Sequence, residues 1–124
     1  MNSNHKHTIF VYGTLRQGAS QAHRLNSSIF IGFGTTAGLL YQVDWYPGAR
    51  FDQNASFCVI GELYWVTDAQ LKALDAFEGR EYKRVLIKVI TERGEVDAQA
   101  WEYQQPIVQL QQLKTGDWRK EYKP

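Results

Sequence analysis

Residues 82–103 read YKRVLIKVITERGEVDAQAWEY, two runs rich in β-branched and aromatic residues on either side of the polar segment Glu92-Arg93-Gly94-Glu95. Val85, Ile87 and Val89 alternate on one face, as a half-buried strand requires. The spacing predicts a hairpin of two strands, Tyr82 to Thr91 and Val96 to Tyr103, joined by a glycine-bearing turn. Four further runs of the same composition precede it: Thr8 to Tyr12, Ile29 to Gly34, Gly38 to Val43 and Cys58 to Val66.

Between Val66 and the hairpin the period changes. Thr67 is placed to cap a helix and Gln70 to complete a capping box, Leu71, Leu74 and Phe77 recur on one face, and Gly79 ends the run. A second helix is predicted from Pro106, burying Ile107, Leu110 and Leu113, and a short helical turn within Ser20 to Ser28. Many short strands with few helices favour an α+β fold, a small mixed β-barrel with flanking short helices, over a doubly wound parallel sheet. A flexible tail over residues 1–7 and one domain over 8–124 are expected.

Composition narrows the function. The chain of 124 residues carries 14 basic and 13 acidic side chains for a net charge of +1, which gives no electrostatic footprint for nucleic acid or an anionic membrane. Met1 to Thr8 is polar and no apolar run reaches transmembrane length, so a cytoplasmic protein is expected. Four Trp, seven Tyr and six Phe suit both a core and a small-molecule pocket. Cys58, the single cysteine, excludes an intramolecular disulfide; flanked by Phe57 and Val59 in an apolar strand, it is expected to be a buried, inert thiol.

Two glycine motifs tempt and fail. Gly13 and Gly18 followed by Ala19-Ser20 lack the lysine a phosphate loop needs, and Gly32-Phe33-Gly34-Thr35-Thr36-Ala37 is followed by a strand-like run where a dinucleotide site needs a helix. A bend between two strands is the plainer reading of the latter. His5 and His7 lie in the polar amino end and are assigned no role.

Val11-Tyr12-Gly13-Thr14-Leu15-Arg16 places a glycine and a hydroxyl directly after an apolar run. A strand ending in such a loop exposes main-chain N–H groups to an anion, and Gly13 permits both unusual backbone angles and close approach. With Tyr46-Pro47-Gly48, Gly61-Glu62-Leu63-Tyr64, Leu74-Asp75 through Glu78 to Tyr82, Arg84 and Gly116-Asp117-Trp118, this order resembles the gamma-glutamylcyclotransferase-like (AIG2-like) family. The chain is most similar to its small bacterial members and to gamma-glutamylamine cyclotransferases.

The resemblance implies a small mixed barrel and a cofactor-independent reaction on a small-molecule γ-glutamyl substrate. The α-amine of the γ-glutamyl group attacks its own γ-carbonyl, releasing 5-oxoproline and a free amine or amino acid. By that resemblance Glu78 is the catalytic acid/base, while the main chain of Tyr12, Gly13, Thr14 and Leu15, with the Tyr82 hydroxyl, binds substrate. The alternative is a non-catalytic pocket protein that holds a small carboxylate-bearing ligand.

The residues themselves leave plainer readings open. Glu78 before a terminal glycine also reads as a solvated side chain set against the helix dipole, Gly13 as a turn glycine, and Tyr12 and Tyr82 as core aromatics with satisfied hydroxyls. Glu62, on a strand, is the second choice of acid or base; Glu81 is expected to face water beside Arg80 and Lys83, and Arg16 to be an exposed loop arginine. Trp45, Tyr46 and Phe51 are candidates for a specificity wall. Leaving group and oligomeric state are not legible.

Overall fold

The computed structural model describes residues 4–121. Its strands are β1 (His7–Val11), β2 (Ile29–Gln42), β3 (Pro47–Phe51), β4 (Cys58–Val66), β5 (Tyr82–Thr91), β6 (Gly94–Tyr103) and β7 (Gln111–Gln112), with helices α1 (Asp68–Glu78) and α2 (Trp118–Glu121). Short 3₁₀ turns cover Ala22–Leu25 and Gly79–Glu81. The expected tail falls partly on residues 1–3, outside the described residues; β1 begins at His7.

Five strands close a barrel in the order β2, β4, β1, β6, β5, and the ring returns to β2 through Thr35 opposite Ile90. Every contact round the ring is antiparallel except β1 with β6, which is parallel. The barrel is therefore mixed, and closure leaves none of the five with two open edges.

Period-2 alternation assigns side chains to two cores. Phe10 and Tyr12 join Leu40, Val59, Leu63 and Val89 inside the barrel. Ile9 and Val11, on the other face of β1, pack with Leu71 and Leu74 of α1, with Leu25 and with Trp101. Both faces of β1 are thus buried, so the loop that follows it emerges where α1 covers the barrel wall.

The hairpin and α1 form as their sequences dictate. Thr91 pairs with Gly94 across a two-residue turn, while Ile87 and Val89 are buried. Thr67 Oγ1 accepts from the Gln70 N–H and the Gln70 side chain accepts from the Thr67 N–H, completing the capping box. At the other end Gly79 takes φ 73°, the left-handed region that stops a helix without a Cβ penalty.

Four expectations are corrected. Residues 29–42 form one strand, not two: a bulge between Phe30 and Gly32 absorbs the irregularity, and the segment from Gly32 to Ala37 runs on as ladder rather than bend. Segment Pro47–Phe51, quoted only as a motif, is a strand, its proline tolerated as the first residue of an edge strand. The segment from Pro106 to Leu113 is not helical; Gln111–Gln112 pairs with Tyr41–Gln42, the Leu113 N–H donates to Leu40 O, and Val108 is exposed. The projecting end of β2 offers a ladder that a short glutamine-rich helix cannot match. Cys58 is exposed, because Val59 beside it points into the barrel and neighbours on a strand face opposite ways.

Candidate functional site

A cleft of about 240 Å³ opens where the loop after β1, the start of β3 and the end of α1 meet. Tyr12, Gly13, Thr14, Leu15, Glu78 and Tyr82 all line it. Trp45 and Tyr46 form part of its wall, whereas Phe51 does not: it packs edge-on against Tyr12, ring centroids 5.9 Å apart, and against the barrel core.

The loop is held by its own turns. Arg16 N–H donates to Gly13 O (3.0 Å), Ala19 N–H to Arg16 O (2.9 Å) and Gln21 N–H to Thr14 O (2.9 Å). The N–H groups of Gly13, Thr14 and Leu15 take no protein acceptor among the described residues. Gly13 has no positive φ, contrary to one part of its expected use. Close approach is the reason a glycine stands there, since a Cβ would lie 2.7 Å from Pro47 Cγ.

Arg16 is buried rather than exposed. Its Nε donates to Glu62 Oε2 (3.0 Å) and its Nη1 to Asp117 Oδ1 (2.8 Å). Glu62 Oε1 accepts from the Gln17 N–H (2.9 Å) and the Tyr64 hydroxyl (3.0 Å). Glu62 is only 2% exposed and does not line the cleft, so its charge is spent anchoring the base of the loop.

The two tyrosines act as struts. Tyr12 Oη donates to Trp101 O (2.8 Å) and accepts from the Ala49 N–H (3.0 Å), tying the end of β1 to β6 and β3. Tyr82 Oη donates to Pro47 O (2.6 Å). Burial first, then nearby acidic groups, pushes both hydroxyls well up, so each stays a neutral donor.

Glu78 stands apart from all of these. It is half-buried at the last turn of α1, and its carboxylate has no hydrogen-bond partner among the described residues. Burial, with the Asp75 carboxylate as the lesser cause, raises its pKa from 4.5 to about 7. Asp75 accepts from Trp101 Nε1 (2.9 Å) and pairs with Arg84 Nε (3.3 Å), so it is fixed beside Glu78 rather than competing for the cleft. A carboxyl poised near 7 in a cavity can both accept and return a proton at neutral pH.

Glu81, expected to face water, also lines the cleft and accepts from Tyr46 Oη at 2.5 Å; that bond is the chief reason the Tyr46 hydroxyl is pushed up to about 12. The 3₁₀ turn Gly79–Glu81 brings it round, because residues three apart eclipse in such a turn. Asp75 was similarly within reach of sequence reasoning, lying three residues before Glu78 on the same helix face. Among the described residues no cluster of three or more His, Cys, Asp or Glu side chains is placed to hold a metal ion, and no helix is long and apolar enough to cross a membrane.

The family profile described as "Gamma-glutamyl cyclotransferase, AIG2-like" matches residues 9–120. The chain belongs to that family. It is 36% identical over 113 residues to the gamma-glutamylcyclotransferase family protein YtfP of Escherichia coli K12, covering 89% of this chain and 94% of YtfP. The solution structure of the Escherichia coli ytfP protein superposes with a TM-score of 0.67, covering 92% of this chain and 99% of that one. YkqA of Bacillus subtilis superposes at 0.80 with 26% identity; the match takes in 92% of this chain but only 40% of the longer YkqA. The mixed barrel is thus the fold of gamma-glutamylcyclotransferase-like proteins.

Proposed function

We propose that the protein is a γ-glutamyl cyclotransferase that releases 5-oxoproline from a γ-glutamyl compound, with Glu78 as general base and then general acid. The observation that carries this reading is a carboxyl raised to about 7 in the same cleft as three main-chain N–H groups, none of the four with a hydrogen-bond partner among the described residues. The loop amides of Gly13, Thr14 and Leu15 hold the substrate's α-carboxylate or polarise its γ-carbonyl. The rigid walls at Tyr12 and Tyr82 fold the γ-glutamyl chain back until its amine meets its carbonyl carbon.

The step balances without a cofactor. The amine nitrogen forms a bond to the γ-carbonyl carbon as its proton passes to the Glu78 carboxylate. The tetrahedral intermediate then breaks its bond to the leaving nitrogen, which takes that proton. Neither step consumes water. Ring closure being intramolecular, the protein has to supply positioning, a proton relay and stabilisation of one oxyanion.

The test is a mass-spectrometric screen for 5-oxoproline released from γ-glutamyl amines, amino acids and peptides. Release from at least one class is the expected result. Binding without release from any of them would leave a pocket protein and remove the catalytic reading.

A further inference from the structure

The loop that presents the Gly13, Thr14 and Leu15 amides is held from a second direction, by the segment that follows β7. Leu113 N–H donates to Leu40 O (2.8 Å) and Ile60 N–H to Gly116 O (2.8 Å), which lays residues 113–116 against β2 and β4. At Gly116 the approach excludes a side chain: φ is 72°, and a Cβ would lie 1.8 Å from Cys58 O. Trp118 then enters the barrel core, and its Nε1 donates to Gln42 Oε1 (2.9 Å). A segment gripped at Leu113, Gly116 and Trp118 is a rigid mount for the residues beside them.

Two charged side chains of this mount reach the loop. Asp117 Oδ1 accepts from Arg16 Nη1 (2.8 Å), and Arg119 Nη1 donates to Gln17 O. Gly18, at φ 79°, turns the chain so closely past Arg119 that a Cβ would lie 2.9 Å from its Nη1. Arg16 is the link inward. Its side chain holds Asp117 while its own N–H donates to Gly13 O, so the residue tied to the mount also closes the turn whose amides face the cleft. Glu62 grips the same guanidinium through Nε and leaves Nη1 to Asp117.

We propose that Asp117 and Arg119 are positioning residues for substrate binding: the segment from Leu113 to Arg119 holds the Gly13–Leu15 amides in register with the γ-glutamyl group, acting through Arg16 and Gln17. The proposal rests on the cyclotransferase reading above. Neither residue lines the cleft. Without Asp117 the guanidinium keeps Glu62, and the lost pair, its aspartate 21% exposed, adds little to stability. What goes is the fixed orientation of the turn, and amides misplaced by about 1 Å no longer meet their ligand squarely.

The signature is a loss of affinity without a loss of chemistry. In Asp117→Ala, KM for the best γ-glutamyl compound of the 5-oxoproline screen should rise about tenfold with kcat within about twofold of the parent, the scale of one charge-assisted hydrogen bond. Titration with 5-oxoproline, which carries the carboxylate and carbonyl of the γ-glutamyl group whatever the leaving group, should weaken by a similar factor. Asp117→Asn keeps an acceptor opposite Nη1 and should hold KM within about threefold of the parent; Arg119→Ala, which loses one exposed contact, should raise it about threefold. KM and Kd do not depend on the fraction of active protein, so a partly unfolded preparation cannot imitate the effect.

Unchanged KM and 5-oxoproline affinity in Asp117→Ala, or a loss confined to kcat, overturns this inference and leaves the cyclotransferase reading standing. Weaker 5-oxoproline binding in Asp117→Ala with no release from any γ-glutamyl compound overturns the catalytic reading and leaves the segment as the support of a binding loop. No release from any compound and no binding of 5-oxoproline by the parent overturns both.

Discussion

Glu62 and Glu78 are two acids near the same loop with opposite surroundings. Glu62 is the more deeply buried, yet Arg16, the Gln17 amide and the Tyr64 hydroxyl satisfy it on every side. Glu78 retains partial exposure but has no hydrogen-bond partner among the described residues, and its charge is discouraged by burial and by Asp75. Depth of burial therefore does not decide whether a carboxyl is reactive; compensation does. A paired buried charge fixes structure, while an uncompensated one is left free to exchange a proton.

The strongest test of this contrast is Glu78→Gln, which keeps shape and removes the proton acceptor. Turnover of the best substrate should fall by roughly 10² to 10⁴, with ligand affinity largely retained by the loop amides. Affinity lost along with rate would mean that Glu78 binds substrate rather than relaying its proton.

Glu62→Ala should act on the other quantity. It strands a buried guanidinium that keeps only Asp117, and stability in urea should drop by about 3 kcal/mol. A drop of a few tenths would show the network to be ornamental.

The third effect is smaller and depends on pH. A carboxyl whose pKa is raised from 4.5 to about 7 on folding imposes no cost below about 4.5, where it is protonated in both states. Its cost grows as pH rises through that window and is complete above about 7. Glu78→Gln should therefore be more stable than the parent by about 2 kcal/mol at pH 8, the full shift of about 3 kcal/mol being reduced by solvent at the partly exposed carboxyl, with most of the difference gone at pH 5. Equal melting temperatures at pH 8 would remove the claim that Glu78 is desolvated. Tyr64→Phe, deleting one donor to Glu62, should cost about 1 kcal/mol at any pH between 6 and 8.

What could be read from the sequence was local. The hairpin declared itself through the alternation of Val85, Ile87 and Val89, and α1 through the Thr67 and Gln70 box, because the residues that decide each element lie within a few positions of one another. The chain order of motifs located the cleft, bringing Gly13 and Glu78 together from 65 positions apart. Long-range pairing was not legible: β3 begins at a proline and was seen only as the motif Tyr46-Pro47-Gly48, and Gln111–Gln112 becomes a strand only because β2 extends past the barrel to meet it. Arg16 and Glu62 looked like an exposed base and a spare acid for the same reason, since their bond spans 46 positions. Glu81 read as solvated while its partner, Tyr46, lay 35 residues away.

The central claim is that Glu78 is the group whose ionisation governs catalysis. The direct measurement is the pH dependence of kcat/KM for 5-oxoproline release by the parent protein and by Glu78→Gln at high enzyme concentration. The account predicts an acidic limb in the parent with a midpoint near 7, where loss of the carboxylate abolishes the base. That limb should be absent from the residual activity of the variant. The same limb in both proteins would contradict the account and place the titrating base elsewhere in the cleft.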